Sequence, residues 1–210
     1  MDSLSFRSER GFTLTELVVA MAVIAFVLGG LLTLQLTGQE TYLTGSNQVE
    51  SQESGRIAVQ RMIMEIRTAG QDPQGATNVT PPTWTRITNA SATAFTIQND
   101  WSGDGVITPG ITVNVNGTLH GERVTYSLNG ATLQRQESTI DVAPQDVITG
   151  VDQLVFAYFA ADNTVIANPA ANAAAIRTVG VTLRTRPSDQ PAATQGRVWV
   201  TMNDRVRMRN

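Results

Sequence analysis

Gly11-Phe12-Thr13-Leu14-Thr15-Glu16-Leu17-Val18-Val19-Ala20-Met21-Ala22-Val23 leads a 210-residue chain into a long apolar run that contains no charge after Glu16. From Leu17 to Leu36 there are twenty residues without a charge, polar only at Thr33 and Gln35. At ~1.5 Å rise per residue such a run makes a helix of about 30 Å, the thickness of a bilayer core. Arg7 and Arg10 flank it on the N-terminal side, which predicts a cytoplasmic N-terminus and a chain whose bulk lies across the membrane. A secretory signal peptide has a shorter apolar region, about 7–15 residues, followed by small residues at a cleavage site. Here the run is longer, and Gly38-Gln39-Glu40-Thr41-Tyr42 follows it. A plain signal anchor stays open as an alternative.

Glu16 is the discriminating residue. An acid at the centre of a membrane helix costs about 2.5–3.5 kcal/mol, less near an end, so an intramembrane carboxylate calls for a functional partner. Cleavage after Gly11 would give Phe12 a free amine four residues from Glu16. The alternative is a carboxylate that merely snorkels to the membrane surface.

The string from Gly11 to Val23 resembles the cleavage and methylation motif of type IV prepilins. The resemblance implies that a prepilin peptidase cuts between Gly11 and Phe12 and methylates the new N-terminus. It also implies that Glu16, fifth in the mature chain, pairs with the terminal amine of a neighbouring subunit during assembly. Residues 1–11 would be the leader, with Asp2, Arg7, Glu9 and Arg10 cancelling in charge. Cutting before the apolar segment keeps it in the mature protein, first as membrane anchor and then as filament core. Leaving lipid for a filament exchanges one apolar environment for another, so close packing and the Glu–amine pair must supply specificity. Many major pilins carry a proline near the twenty-second mature position, where this chain has Thr33. Gly29-Gly30 is the weak point of the helix, each Gly costing roughly 1 kcal/mol relative to Ala in a soluble helix.

Beyond the span, residues 39–56 are polar and rich in Gln, Ser and Glu. Val59, Met62, Ile63 and Ile66 then fall at i, i+3, i+4 and i+7, one apolar stripe of an amphipathic helix. The helix should stop near Gly70, before Asp72-Pro73. Residues 12–39 are therefore expected to form the transmembrane or filament-core part of a long helix, and residues 40–70 its amphipathic half.

Residues 71–210 are expected to form a β-rich globular head. Short alternating stretches bounded by turn residues predict strands at 93–98, 111–115, 122–128, 131–136, 154–160, 178–185 and 197–202. Asn129-Gly130 between two alternating runs is a strong hairpin signal. Residues 161–175 read as a loop or short helix, and residues 187–195 as a second loop. The head is similar, over most of its length, to the PilW family of minor pilins, and the J-type minor pseudopilin of type II secretion is the close rival. The segments that carry this are Glu65–Gly70, the hairpin around Asn129-Gly130, Val151–Phe159, Ile176–Leu183 and the terminal Val-Arg-Met-Arg-Asn. The fold class so implied is α+β, type IV pilin-like, a long N-terminal helix packed on an antiparallel β-sheet head. The implied function is that of a minor pilin priming or capping a pilus. The implied partners are other minor and major pilins, the prepilin peptidase, an inner-membrane assembly platform and membrane lipid. The implied location is the bacterial inner membrane with a periplasmic head, then the pilus at the cell surface.

Within the head, Asp100-Trp101-Ser102-Gly103-Asp104-Gly105 matches the start of a calcium loop. Oxygen side chains at Asp100, Ser102 and Asp104 can converge on one Ca2+, and Gly105 permits the sharp turn. The twelfth place, which should hold a bidentate acid, is Ile111, and the alternative is a Gly-rich turn bent by Asp. No other cofactor is indicated. The chain has no cysteine, which excludes disulfides, thiolate metal sites and thiol nucleophiles. Its single histidine, His120, sits without a G-x-S-x-G motif and reads as a structural residue, so a tethered periplasmic enzyme is disfavoured. Trp84, Trp101 and Trp199 read as core or loop anchors. Net charge is −3 with no lysine, and the arginines are scattered apart from Arg205, Arg207 and Arg209, which alternate as on one face of an edge strand. With no basic patch, nucleic-acid binding is not expected; a head that binds a surface or secreted cargo stays open.

Overall fold

A computed structural model of the chain describes residues 11–72, 84–186 and 199–208. One helix, α1, runs from Leu14 to Thr68 over 55 residues, continuous through Gly29-Gly30. It belongs to two compact units, the first ending at Gly45 and the second beginning at Ser46. In the first unit every large apolar side chain from Phe12 to Leu36 is exposed, most of them by more than half. A row of threonines satisfies itself there: the hydroxyls of Thr33, Thr37, Thr41 and Thr44 donate to the carbonyls of Gly29, Thr33, Thr37 and Glu40 at 2.8–3.0 Å. Thr33 thus stands in the apolar run without an unmet polar group.

The second unit holds the end of α1 and the β-structure. The helix buries Ser51, Gly55, Ala58, Val59, Met62 and Ile66, steps of three or four that lay one face on the sheets. The predicted stripe is this face, with Ile63 only half-buried at its border. The early positions are small because the helix crosses close: a Cβ on Gly55 would lie 3.1 Å from Met202 Cε. Burying Met62 and Ile66 completely contributes about 1.5–3 kcal/mol each. The helix ends at Thr68, and two residues on Gly70 turns the chain away with φ +82° and donates its N–H to the carbonyl of Gln98.

Among the described residues ten strands follow: β1 (Ile87–Thr88), β2 (Ala94–Gln98), β3 (Thr112–Val115), β4 (Thr118–Gly121), β5 (Arg123–Asn129), β6 (Thr132–Glu137), β7 (Gln145–Ile148), β8 (Val151–Phe159), β9 (Thr178–Thr185) and β10 (Val200–Arg207). All pairs are antiparallel. They form a five-stranded sheet in the order β1-β2-β5-β6-β7, a three-stranded sheet β10-β9-β8 and the separate hairpin β3-β4. The predicted strands are present with ends shifted by a few residues; β1, β4 and β7 were not foreseen, and the last strand runs on to Arg207. The loop expected at 187–195 lies outside the described residues. Residues 161–175 are turns with a single 3-10 turn at Ala173–Ala175.

The two Asn-Gly pairs of the chain make different turns. Asn116 and Gly117 both have positive φ, 52° and 86°, between the paired Val115 and Thr118. That is the type I′ geometry for which Asn-Gly is suited. Around Asn129-Gly130 the register is one residue on: Asn129 pairs with Thr132, and only Gly130 has positive φ, at 60°. The central residues are Gly130-Ala131, as in a type II′ turn.

An aromatic cluster joins the sheets. Phe95 stacks on Tyr126 at 5.5 Å and meets Phe156 edge-on at 4.6 Å. Phe159 lies across Gly180, where an added Cβ would be 3.3 Å from its ring, and Arg205 covers it at 3.8 Å. Gly121 is required for a different reason: a Cβ there would sit 1.8 Å from the Ser138 carbonyl oxygen.

Candidate functional site: the N-terminal helix start

Thr13 is the N-cap of α1. Its carbonyl takes the first helical bond, from Leu17 N at 3.2 Å, and its side chain meets Glu16, the third helical residue. The Glu16 N–H donates to Thr13 Oγ1 at 3.3 Å. In return the Thr13 N–H and hydroxyl both donate to Glu16 Oε2, at 2.9 and 2.8 Å. This reciprocal pair is a capping box, which satisfies donors at the helix start that have no helical partner. The carboxylate also lies at the positive end of the helix dipole. Glu16 Oε1 accepts no hydrogen bond from the described residues, so half of the carboxylate faces outward.

Gly11 and Phe12 lie just before the cap, outside any regular element and exposed. Among the described residues nothing stands within 4 Å of where a Cβ on Gly11 would be. Hydrolysis of the bond between these two exposed residues would leave an ammonium on Phe12 next to the cap.

Residues 6–32 match the prokaryotic N-terminal methylation motif. The chain carries a prepilin-type N-terminus. The motif and the exposed apolar helix together support a type IV pilin- or pseudopilin-like protein, processed by a prepilin peptidase and assembling with other pilins. Among the described residues α1 is the one helix long and apolar enough to cross a membrane, consistent with membrane anchoring. No curated protein matches the chain.

The candidate calcium residues take up hydrogen bonds within their own loop. Asp100 is fully buried; its Oδ1 accepts from Gly103 N and Ser102 Oγ at 2.7 and 3.1 Å, and its Oδ2 from Gly105 N at 2.7 Å. Asp104 is exposed, with Oδ1 accepting from Val106 N at 2.9 Å. A second buried acid completes the loop: Glu122 accepts from Ser102 N at 3.2 Å and Thr108 N at 2.7 Å. These are the bonds of an Asp-directed turn wound on two carboxylates. Among the described residues no group of three or more acidic or His side chains is placed to hold a metal.

The polar centre of the head was not foreseen. Arg135, buried on β6, binds Glu65 of α1 at 2.9 Å, Glu137 at 2.6 Å and Asp141 at 3.3 Å. Burial opposes the charge of its guanidinium, but the Glu137 hydrogen bond and the Glu65 charge outweigh this and push its pKa further up. The Tyr126 hydroxyl donates to Glu65 Oε2 at 2.9 Å; burial first, then the Glu65 charge, push its pKa up. His120 Nδ1 lies 3.3 Å from Glu137 Oε1, with Trp101 stacked on its ring at 4.9 Å. His120 and Trp101 are thus part of the head's packing, whereas Trp199 is exposed, with Arg184 over its ring at 5.3 Å. A residue separation of 70 between Glu65 and Arg135 leaves no local sequence signal for the pair.

Proposed function

We propose that this chain is a minor pilin, cut between Gly11 and Phe12, that enters a type IV pilus as a priming or tip subunit with its head in the periplasm and then at the cell surface. The observation that carries the reading is the capping box. It holds Glu16 at the helix start, satisfied on one oxygen by Thr13 and open on the other. In the membrane the single chain bears its carboxylate at reduced cost. In a filament the open oxygen receives the methylated ammonium of Phe12 from a neighbouring subunit, a charge-assisted bond in an apolar surround. The exposed apolar surface of α1 from Phe12 to Leu36 supports the same reading, since it needs lipid or neighbouring helices to cover it.

The test is intact mass and N-terminal sequencing from native cells. A mature chain beginning at N-methyl-Phe12 is expected, together with Glu16→Gln protein that is still trimmed but fails to enter filaments. A chain still carrying Met1 would overturn the processing, and normal assembly of Glu16→Gln would overturn the role of the carboxylate. Co-purification with pilus subunits, rather than with secretion-system pseudopilins, would decide for the pilus over the J-type alternative.

A further inference from the structure

The sheets of the head end in edges that are treated unequally. An exposed edge offers unpaired N–H and C=O groups to any extended chain, and folded proteins blunt it by shortness, bulges, cover or charge. β1 is two residues long. β7 has four, beside a register shift at Leu133/Gln134. β8 is shifted at Val151/Gln153 and bridged at Phe159 by Val165. β3 and β4 have four residues each. β10 is neither short nor bulged; what guards it is charge, at the exposed Asp204, Arg205 and Arg207. Its eight residues pair with β9 in unbroken register, and among the described residues it pairs with no other strand.

We propose that β10 is an acceptor edge for an extended acidic segment of another protein, added as a further strand. Charge selects the partner. Thr201, Asn203, Arg205 and Arg207 alternate on the face away from the buried Val206, and Arg207 is exposed. A neighbouring strand with carboxylates at alternate positions would set them opposite these arginines, the favourable cross-strand arrangement. Self-pairing is penalised in the registers centred on Asp204 or on Arg205, which set that charge opposite its own copy, whereas an acidic strand meets the arginines favourably. On the core-facing side, a groove of about 570 Å³ lined by Val49, Gln52, Glu53, Arg56, Val200 and Met202 would take the intervening apolar side chains. Backbone pairing with side-chain pockets at alternate positions is how strand addition obtains affinity and specificity together.

The test uses the full-length chain in detergent and three labelled nine-residue peptides, followed by fluorescence anisotropy. One alternates Glu and Val, one alternates Lys and Val, and one is the Glu–Val peptide N-methylated on alternate amides. The Glu–Val peptide is expected to bind, and the N-methylated peptide not to. Arg205→Glu with Arg207→Glu should weaken the Glu–Val peptide roughly tenfold, the effect of two reversed cross-strand pairs, and favour the Lys–Val peptide. Should the double variant lose its native melting profile, Arg207→Glu alone decides in the same direction. No binding of the Glu–Val peptide, or equal binding of its N-methylated form, would overturn the proposal. So would disulfide capture of two copies through Asn203→Cys, which would make a second copy the occupant.

Discussion

The two parts of α1 make an instructive pair. Up to Gly45 the helix exposes its apolar side chains and meets its polar needs locally, through the Thr13–Glu16 cap and the threonine row. From Ser46 onward it buries Met62 and Ile66 completely and sends Glu65 to a buried arginine. A common backbone geometry thus serves two ends. One part is a surface whose partner must come from lipid or another molecule; the other is a structural member of its own domain. The two parts differ in apolar content, and they differ also in how the apolar residues are arranged. In the first they run all round the helix; in the second they keep to one stripe.

The largest expected effect that sharpens this contrast comes from Arg135→Met. It leaves Glu65, Glu137 and Asp141 without the cation they share, a loss of about 3–5 kcal/mol for a broken buried ion pair. Denaturant unfolding of the head followed by tryptophan fluorescence would show it as a lower midpoint; an unchanged midpoint would mean that the network does not hold helix to sheet. Next is Met62→Ala, expected to cost about 2–5 kcal/mol by loss of burial and an unfilled cavity. The smallest is Ile24→Ala, 57% exposed, which should move the same midpoint by no more than about 0.5 kcal/mol. If Ile24→Ala destabilised the head as Met62→Ala does, the contrast between the two parts would be broken.

Much of this was legible in the sequence because its causes are local. The uncharged run, the 59–66 stripe and the alternating strands announce themselves by periodicity. Two further local signals went unread. Thr13-x-x-Glu16 is a capping-box pattern, and Asn116-Gly117 between Val115 and Thr118 marks the β3-β4 hairpin as plainly as Asn129-Gly130 marks β5-β6. Spacing also suggested that Asp100, Ser102 and Asp104 could share an ion. Sequence spacing cannot show that Asp100 spends both oxygens on donors of its own loop. The Glu65–Arg135 contact and the crossing of Gly55 over Met202 depend on how distant segments meet, which no local pattern records.

The threonine row has a consequence for how the helix sits in a bilayer. A helix whose hydroxyls reach for water has a preferred depth, marked by the first group that must stay wet. Thr33, Thr37, Thr41 and Thr44 instead return their protons to the backbone one turn earlier, so no hydroxyl among them sets a waterline. The wet end of the segment is therefore set by Gln39 and Glu40, whose amide and carboxylate cannot be met in this way, and not by any of the threonines.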